Sequence, residues 1–331
     1  MKQLLKNLLF AFGPSGREGQ IRKVIEDAIG MHVDSMQVDA LGNLIAVKKG
    51  TNPNGKKIML AAHMDQIGFV VSDADKEGFL RVHNVGGLRR SHSLNRRVVF
   101  ENGMNGVLSY EVEGNDPADA TMMKMFIDIG ASSREEALSK VELGDMAVYA
   151  PEMFFIGADY VAGVAMDDRA GCAIQIEVMK KLKDCPNEVI FVFTTQEEVG
   201  LRGATGAAYS VAPDEAIAID VTLTGDTPKG HKLPMKLGEG IAVKIMDQSM
   251  ISSPEMVRAL EAAAQRSGAK FQREVLNMGG TDAGAIHRSR GGVPSCVLSI
   301  PCRYVHSATE LVSLGDMESG VTLLNDYLMQ A

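Results

Sequence analysis

Tryptophan is absent from the 331-residue sequence, aromatic residues make up 5% of it, and acidic residues outnumber basic ones. Lysine and arginine total 34 against 42 aspartates and glutamates, so the formal net charge is −8. Nonspecific nucleic-acid binding requires a basic surface, and the sequence contains no basic stripe with interleaved aromatic residues. We therefore expect no nucleic-acid partner.

Long apolar runs are also missing, because the longest ones have the length of a strand and fall well short of the ~20 residues of a membrane helix. The N-terminal stretch 1–19 is interrupted by Lys2 and Lys6 and lacks a small-residue cleavage site, which indicates an amphipathic helix and not a signal peptide. The four cysteines have no CxxC spacing, which argues against a zinc knuckle and favours buried thiols in a reducing compartment. We expect a cytoplasmic protein without membrane contact.

Helical and strand-like patterns alternate in residues 1–67 and again in 163–331. Residues 68–162 instead form short alternating segments separated by glycine, asparagine and aspartate turns, a pattern typical of small barrels. The sequence therefore predicts an α/β domain with a largely parallel sheet flanked by helices, discontinuous over 1–67 and 163–331. A small β-barrel-like domain at 68–162 is predicted to be inserted into it.

The most informative segment is 189–203, in which a fully apolar run stops at two adjacent glutamates, Glu197 and Glu198. Five consecutive large apolar residues indicate a strand buried on both faces, and ligand sites in such sheets lie at the carboxyl ends of the strands. Two neighbouring carboxylates at that position repel each other unless a cation or a proton relieves them. Similar combinations of an apolar run and a polar end occur in AHMD at 62–65, MDDR at 166–169, AIAID at 216–220 and RYVH at 303–306.

These segments supply five candidate metal ligands, which are His63, Asp167, Glu198, Asp220 and His306. Imidazole nitrogen and carboxylate oxygen suit zinc or cobalt, and five ligands suit two ions if one carboxylate bridges them. Alternation along the backbone should point Glu197 and Glu198 in different directions, so we expect them to have different roles. The residues alone do not decide which glutamate is the ligand. The histidines at 32, 83, 92 and 231 lack a comparable context, and we expect them to be ordinary surface or core residues.

Six segments, in order along most of the chain, resemble the M42 family of metallo-aminopeptidases, which belongs to the clan of di-zinc exopeptidases. They are HMDQIG at 63–68, GVAMDDRAG at 163–171, TTQEEVGLRGA at 194–204, IDVTLTGDTP at 219–228, GGTDAGAIH at 279–287 and RYVHS at 303–307. The resemblance implies a tetrahedral homo-oligomer of up to twelve subunits, with the inserted domain as a dimerisation surface or a lid.

The resemblance also implies roles for the candidate residues. Asp167 would bridge two metal ions, with His63 and Asp220 completing one site and Glu198 and His306 the other. Glu197 would be the general base that activates a metal-bridging water, and Asp65 would hydrogen-bond the imidazole of His63. The peptide bond after Asp167 is expected to be cis.

The function predicted from this resemblance is di-metal hydrolysis of N-terminal residues from short peptides. The same metal core could instead serve a deacylase or a carboxypeptidase. A glycosidase needs two carboxylates but not the histidines, and a non-catalytic oligomeric scaffold is a further alternative. The preferred N-terminal residue and the identity of the physiological metal are left open.

Overall fold

The computed structural model describes residues 1–88, 93–111 and 124–331, and within these ranges the chain forms eight helices and 17 strands. The helices are α1 (Lys2–Leu9), α2 (Gly19–Ile29), α3 (Arg134–Lys140), α4 (Met166–Lys181), α5 (Arg202–Val211), α6 (Pro254–Ser267), α7 (Ala283–Ile286) and α8 (Leu314–Gln330). The strands are β1 (Ser35–Val38), β2 (Leu44–Lys48), β3 (Lys57–His63), β4 (Gly68–Ala74), β5 (Leu80–Val85), β6 (Arg96–Phe100), β7 (Asn105–Tyr110), β8 (Met125–Asp128), β9 (Met146–Tyr149), β10 (Met153–Ile156), β11 (Tyr160–Gly163), β12 (Glu188–Thr194), β13 (Glu215–Leu223), β14 (Ile241–Met246), β15 (Phe271–Val275), β16 (Ser295–Arg303) and β17 (Glu310–Ser313). Among the helices of these described ranges, none is both long enough and apolar enough to span a membrane.

The centre of the structure is an 11-stranded sheet with the main order β1-β2-β12-β3-β13-β16-β17-β11-β10, and β14 and β15 join it beside β16. The four central strands β12, β3, β13 and β16 run parallel to one another. The outer pairs at both ends of the main order are antiparallel. In the side branch, β14 is antiparallel to β16 and parallel to β15. The predicted α/β fold with a largely parallel sheet is confirmed for the centre of the sheet, where the site residues are found.

Helices cover both faces of this sheet, which explains why β12 is apolar at every position from Val189 to Phe193. Phe191 and Phe193 pack in the large core with α1, α2, α4, α6 and α8. Ile190 and Val192 point to the opposite face and pack with α5 and α7. Successive side chains of a strand point to opposite faces, so both sets of residues must be apolar. The amphipathic N-terminal helix predicted from the sequence is α1, whose leucines are buried in the large core.

A second unit is the closed barrel β4-β5-β8-β7-β6-β9, which has its own apolar core. The rings of Phe69 and Tyr149 meet edge to face inside it, with their centroids 5.5 Å apart. The barrel strands lie between Gly68 and Tyr149, whereas β10 and all but the last residue of β11, which also fall within the predicted insert at 68–162, extend the large sheet. The prediction of a small inserted β-barrel is confirmed, and its use as a lid or a dimerisation surface stays a prediction.

Candidate metal centre

The carboxyl ends of the parallel strands bring most of the predicted ligands to one edge of the large sheet. His63 is the last residue of β3, Asp220 lies in the second half of β13, and Glu198 follows the end of β12. Asp167 lies in the first turn of α4, and His306 lies in the connection between β16 and β17. Parallel strands place their carboxyl ends side by side, which is why residues far apart in the sequence meet here.

The first group of possible ligands consists of His63, Asp167 and Asp220, which are all buried. The Nε2 atom of His63 is 3.0 Å from Oδ1 of Asp167 and 3.8 Å from Oδ1 of Asp220. One ligand atom from each residue lies within 4.8 Å of the other two. This spacing is suitable for a single metal ion held by three side chains.

The second group consists of Asp167, Glu198 and His306, whose ligand atoms also lie within 4.8 Å of one another. The Nε2 atom of His306 is 3.2 Å from Oδ2 of Asp167 and 3.2 Å from Oε2 of Glu198. Asp167 therefore belongs to both groups and faces each histidine with a different oxygen. All five residues selected from the sequence are brought together, in two groups that share one carboxylate.

The charges of the two groups fit divalent cations. Burial raises the pKa of the Asp220 carboxyl well above its usual range, and the charge of Asp167 adds to this effect. Burial lowers the pKa of His63, but the carboxylates of Glu197, Asp167 and Asp65 oppose it and leave the pKa well above its usual range. The Oε1 atom of Glu198 is buried and has no hydrogen-bond partner among the described residues. A metal ion would neutralise the carboxylates and use an oxygen that otherwise has no partner.

Glu197 lies beside the ligand groups, and its Oε2 atom is 3.9 Å from Nε2 of His63. Burial raises the pKa of its carboxyl well above the usual range, and the charges of Asp220, Asp282 and Glu198 act in the same direction. Glu197 also lines a cavity of 530 Å³ together with Asp167, Glu198, Asp220 and His306. Its carboxylate is therefore available to a molecule bound in the cavity.

Asp65 holds the segment that carries both glutamates. Its Oδ1 accepts the backbone N–H of Glu197 at 3.0 Å, and its Oδ2 accepts that of Glu198 at 3.3 Å and the hydroxyl of Ser15 at 2.6 Å. The closest partner of Nδ1 in His63 is the backbone oxygen of Asp65 at 3.1 Å, while Oδ1 of Asp65 is 3.6 Å away. Asp65 therefore contacts His63 with its main chain and supports Glu197 and Glu198 with its side chain. Sequence reasoning did not identify this second contribution.

The first turn of α4 has an irregular backbone. The peptide bond between Asp167 and Asp168 is cis, as expected, and both residues have non-helical dihedral angles. The Oδ1 atom of Asp168 accepts the N–H of Gly171 at 3.0 Å. A Cβ atom on Gly171 would clash with the carboxylate of Asp168, so this position requires glycine while Asp168 keeps its conformation.

The remaining wall of the cavity is mostly apolar, with Leu276, Met278 and Val305 among its residues. Lys244 is the one lysine or arginine among the described lining residues, and it is buried. Its Nζ atom is 3.4 Å from Oδ2 of Asp247 and 3.6 Å from Oε1 of Glu274. The charge of Lys244 is therefore already balanced by two carboxylates of the protein.

Glu310 was not identified from the sequence, although its carboxylate accepts the backbone N–H groups of both Asp167 and His306. Its sequence context, the start of the short segment ELVS, contains no extended apolar run that would have indicated a site. His32, His83 and His231 belong to neither ligand group, and His92 lies outside the described residues.

Comparison with known proteins identifies close relatives over almost the whole chain. Residues 42–323 match the family described as M42 glutamyl aminopeptidase. A protein from Acetivibrio thermocellus, named as a predicted aminopeptidase, is 49% identical over 324 residues, covering 98% of this chain and 97% of that protein. The structure of an aminopeptidase from the archaeon Desulfurococcus kamchatkensis superposes with a TM-score of 0.95 at 35% identity, covering 99% of this chain and 94% of that one. The TET1 peptidase of Pyrococcus horikoshii, described as assembling into a tetrahedron or a large octahedral shell, superposes with a TM-score of 0.88 at 35% identity, covering 100% and 99% of the two chains.

Proposed function

The chain belongs to the M42 glutamyl aminopeptidase family, and on that basis we propose that it is a di-metal aminopeptidase that removes N-terminal residues from short peptides. The observation that carries the proposal is the carboxylate of Asp167. Its two oxygens face two different histidines, His63 at 3.0 Å and His306 at 3.2 Å. One carboxylate shared in this way suits a pair of metal ions with a bridging ligand.

In this proposal His63, Asp167 and Asp220 hold one divalent ion, and Asp167, Glu198 and His306 hold the other. Zinc and cobalt suit this set of nitrogen and oxygen ligands. When bound, such ions polarise the scissile carbonyl and lower the pKa of the attacking water.

Glu197 is the general base in this proposal, because it lines the cavity but is outside both ligand groups of the described residues. Its carboxylate takes a proton from the attacking water and delivers it to the nitrogen of the leaving amine. Asp65 keeps the carboxylate in place by binding the backbone N–H of Glu197. The free amino group of the substrate would be recognised by acidic residues or by a metal ion.

The test is a panel of short peptides with free and acetylated amino termini. Each peptide is given to protein that has been stripped of metal with a chelator and then resupplied with zinc or cobalt. We expect metal-dependent release of the first residue from the free peptides only. Equal cleavage of acetylated peptides would favour the deacylase alternative, and release from the carboxyl end would favour a carboxypeptidase. Chelator-insensitive cleavage of a β-glucan would favour a glycosidase, and no turnover with both metals bound would favour a scaffold.

We also propose that the chain forms a homo-oligomer of up to twelve subunits with tetrahedral symmetry. The support is the similarity over the whole chain to the Pyrococcus horikoshii peptidase described as a tetrahedron or octahedral shell. Native mass spectrometry tests this proposal, and a monomer at micromolar concentration would contradict it. The cytoplasmic location stays a prediction, and fractionation of the source cells would test it.

A further inference from the structure

One buried carboxylate lies behind the second ligand group. Glu310 is the first residue of β17 and is 2% exposed. Its Oε2 accepts the backbone N–H of Asp167 at 3.0 Å, and its Oε1 accepts the backbone N–H of His306 at 2.7 Å. Both oxygens are therefore used, and both bonds reach residues that are candidate ligands of the same metal ion.

The two N–H groups lie where regular secondary structure does not provide a partner. Asp167 is in the first turn of α4, where the N–H groups have no acceptor within the helix. His306 lies in the connection between two strands and has a φ of 60°, in the left-handed region. An N–H group buried without a partner is costly, so Glu310 stabilises a backbone conformation that the helix and the strands do not stabilise themselves.

Glu310 is itself held firmly. It is paired with Gly163 in the antiparallel ladder between β11 and β17, and β11 leads directly into the segment that contains Asp167. Because the two oxygens of one carboxylate have a constant separation, the two bonds fix the distance between the backbones of Asp167 and His306. A change at Glu310 would alter that distance without removing any ligand atom.

We infer that Glu310 is a positioning residue for the metal ion held by Asp167, Glu198 and His306. This inference rests on the proposed function, because it assumes that this ligand group binds a metal. Side chains that orient metal ligands typically contribute about 10- to 100-fold to metal affinity. Loss of the two bonds should therefore weaken the ion of this group most, because two of its three ligands, Asp167 and His306, lose a backbone bond. The other group shares only Asp167 with it, and His63 and Asp220 have no contact with Glu310 among the hydrogen bonds of the described residues.

The test compares Glu310→Gln with a matched control, Asp316→Asn. The carboxylate of Asp316 is also buried, and it accepts two backbone N–H groups, those of Gly238 at 2.8 Å and Gly240 at 2.7 Å. Asp316 belongs to neither ligand group. Each substitution replaces one acceptor oxygen with an NH2 group that faces an N–H donor, so the structural damage is comparable.

Wild type and both variants are stripped of metal and titrated with cobalt against a competing chelator, and the visible spectrum of bound cobalt is recorded. We expect the melting temperature of the metal-free protein to fall in both variants. Only Glu310→Gln should bind its second cobalt about 10- to 100-fold more weakly, with an altered spectrum. Wild-type affinity and spectrum in Glu310→Gln, or equal weakening in Asp316→Asn, would overturn the inference.

Two further measurements, the number of cobalt ions bound by wild type and cobalt binding by Glu310→Asp, separate failure of this inference from failure of the proposed function or of folding. If wild type itself binds fewer than two cobalt ions, the di-metal proposal fails and the inference fails with it. If wild type binds two and Glu310→Gln does not fold, Glu310→Asp replaces it, because the shorter side chain keeps both oxygens but cannot reach both N–H groups. Weaker binding of one cobalt ion by Glu310→Asp would support the inference, and unchanged binding would overturn it.

Discussion

Replacing Glu197 with glutamine should lower turnover by orders of magnitude while leaving both metal ions in place. The side chain keeps its size, and the backbone N–H of Glu197 still donates to Asp65 at 3.0 Å, so the segment should retain its conformation. Glutamine cannot accept a proton at neutral pH. The substitution therefore separates a proton-transfer role from a structural role.

The size of the effect follows from the position of Glu197. Its carboxylate lines the cavity and is outside both ligand groups of the described residues, so the expected loss is that of a general base. Such groups contribute about 10²- to 10⁴-fold to the rate, which corresponds to about 3 to 5 kcal/mol of barrier height. We expect kcat to fall by that factor, with little change in KM because the ground-state contacts with the substrate are retained.

The adjacent Glu198→Gln variant is the matched control. The Oε2 atom of Glu198 is 3.2 Å from Nε2 of His306, so this variant should lose affinity for one metal ion and recover part of its activity with excess cobalt. The assay is release of the first residue from a short peptide, with the metal content of each sample measured by elemental analysis. Loss of metal from Glu197→Gln, together with full metal content in Glu198→Gln, would reverse the two assignments.

Three further outcomes are expected. Phe191→Ala removes a fully buried ring in β12 and should lower the free energy of unfolding by about 3 to 5 kcal/mol in denaturant titrations. The control is Met31→Ala, at a side chain that is 93% exposed, which should change the free energy of unfolding by less than about 0.5 kcal/mol. Burial raises the pKa of Asp226, but the hydrogen bonds from Arg303 outweigh this effect and lower the pKa from 3.8 to about 2. The resulting stabilisation is present above pH 3.8 and is lost as the pH falls towards 2. Asp226→Asn should therefore make the free energy of unfolding less dependent on pH in that window, as measured by denaturant titrations at several pH values. Leucyl peptides should be cleaved with a kcat/KM about tenfold or more above that of glutamyl peptides. The reason is that the cavity wall is mostly apolar and that Lys244 is already paired with two carboxylates, so it is not free to bind a glutamyl side chain. A preference for glutamyl peptides in a substrate panel would contradict this prediction.

The central sheet and most of the ligands could be predicted because their sequence signals are local. In β12, an uninterrupted apolar run ends four residues before Glu197, and β3 ends directly at His63. Strands of this kind run parallel in an α/β sheet, so the polar residues at their ends converge without any knowledge of the tertiary structure. The same argument applies to Asp220 in β13. The assignment of the separate roles of Glu197 and Glu198 came from the family resemblance, because adjacent glutamates have nearly identical local chemistry.

The short strands at the margin of the sheet could not be predicted in the same way. β10, β11 and β17 have four residues each, and three of the four in β10 are exposed. β10 and β11 form a short hairpin, but its place in the sheet depends on the pairing of Gly163 with Glu310, which are distant in the sequence. The helix α4 begins at Met166 with non-helical angles at Asp167 and Asp168. The spacing of apolar residues along the sequence does not reveal such an irregular first turn.

The contributions that sequence reasoning missed, one from Asp65 and one from Glu310, share a physical role, which is to accept hydrogen bonds from irregular backbone. Gln196 and His306 have positive φ angles of 54° and 60°. Gln196 directly precedes Glu197 and Glu198, and His306 is itself a candidate ligand. Asp65 binds the two N–H groups that follow Gln196, and Glu310 binds the N–H of His306. Since neither a helix nor a sheet supplies these bonds, the carboxylates determine where the ligand segments lie. The acidic residues of the site thus belong to two sets, one that faces the cavity and one that holds the backbone behind it. Tertiary contacts, and not local sequence patterns, reveal what the second set does.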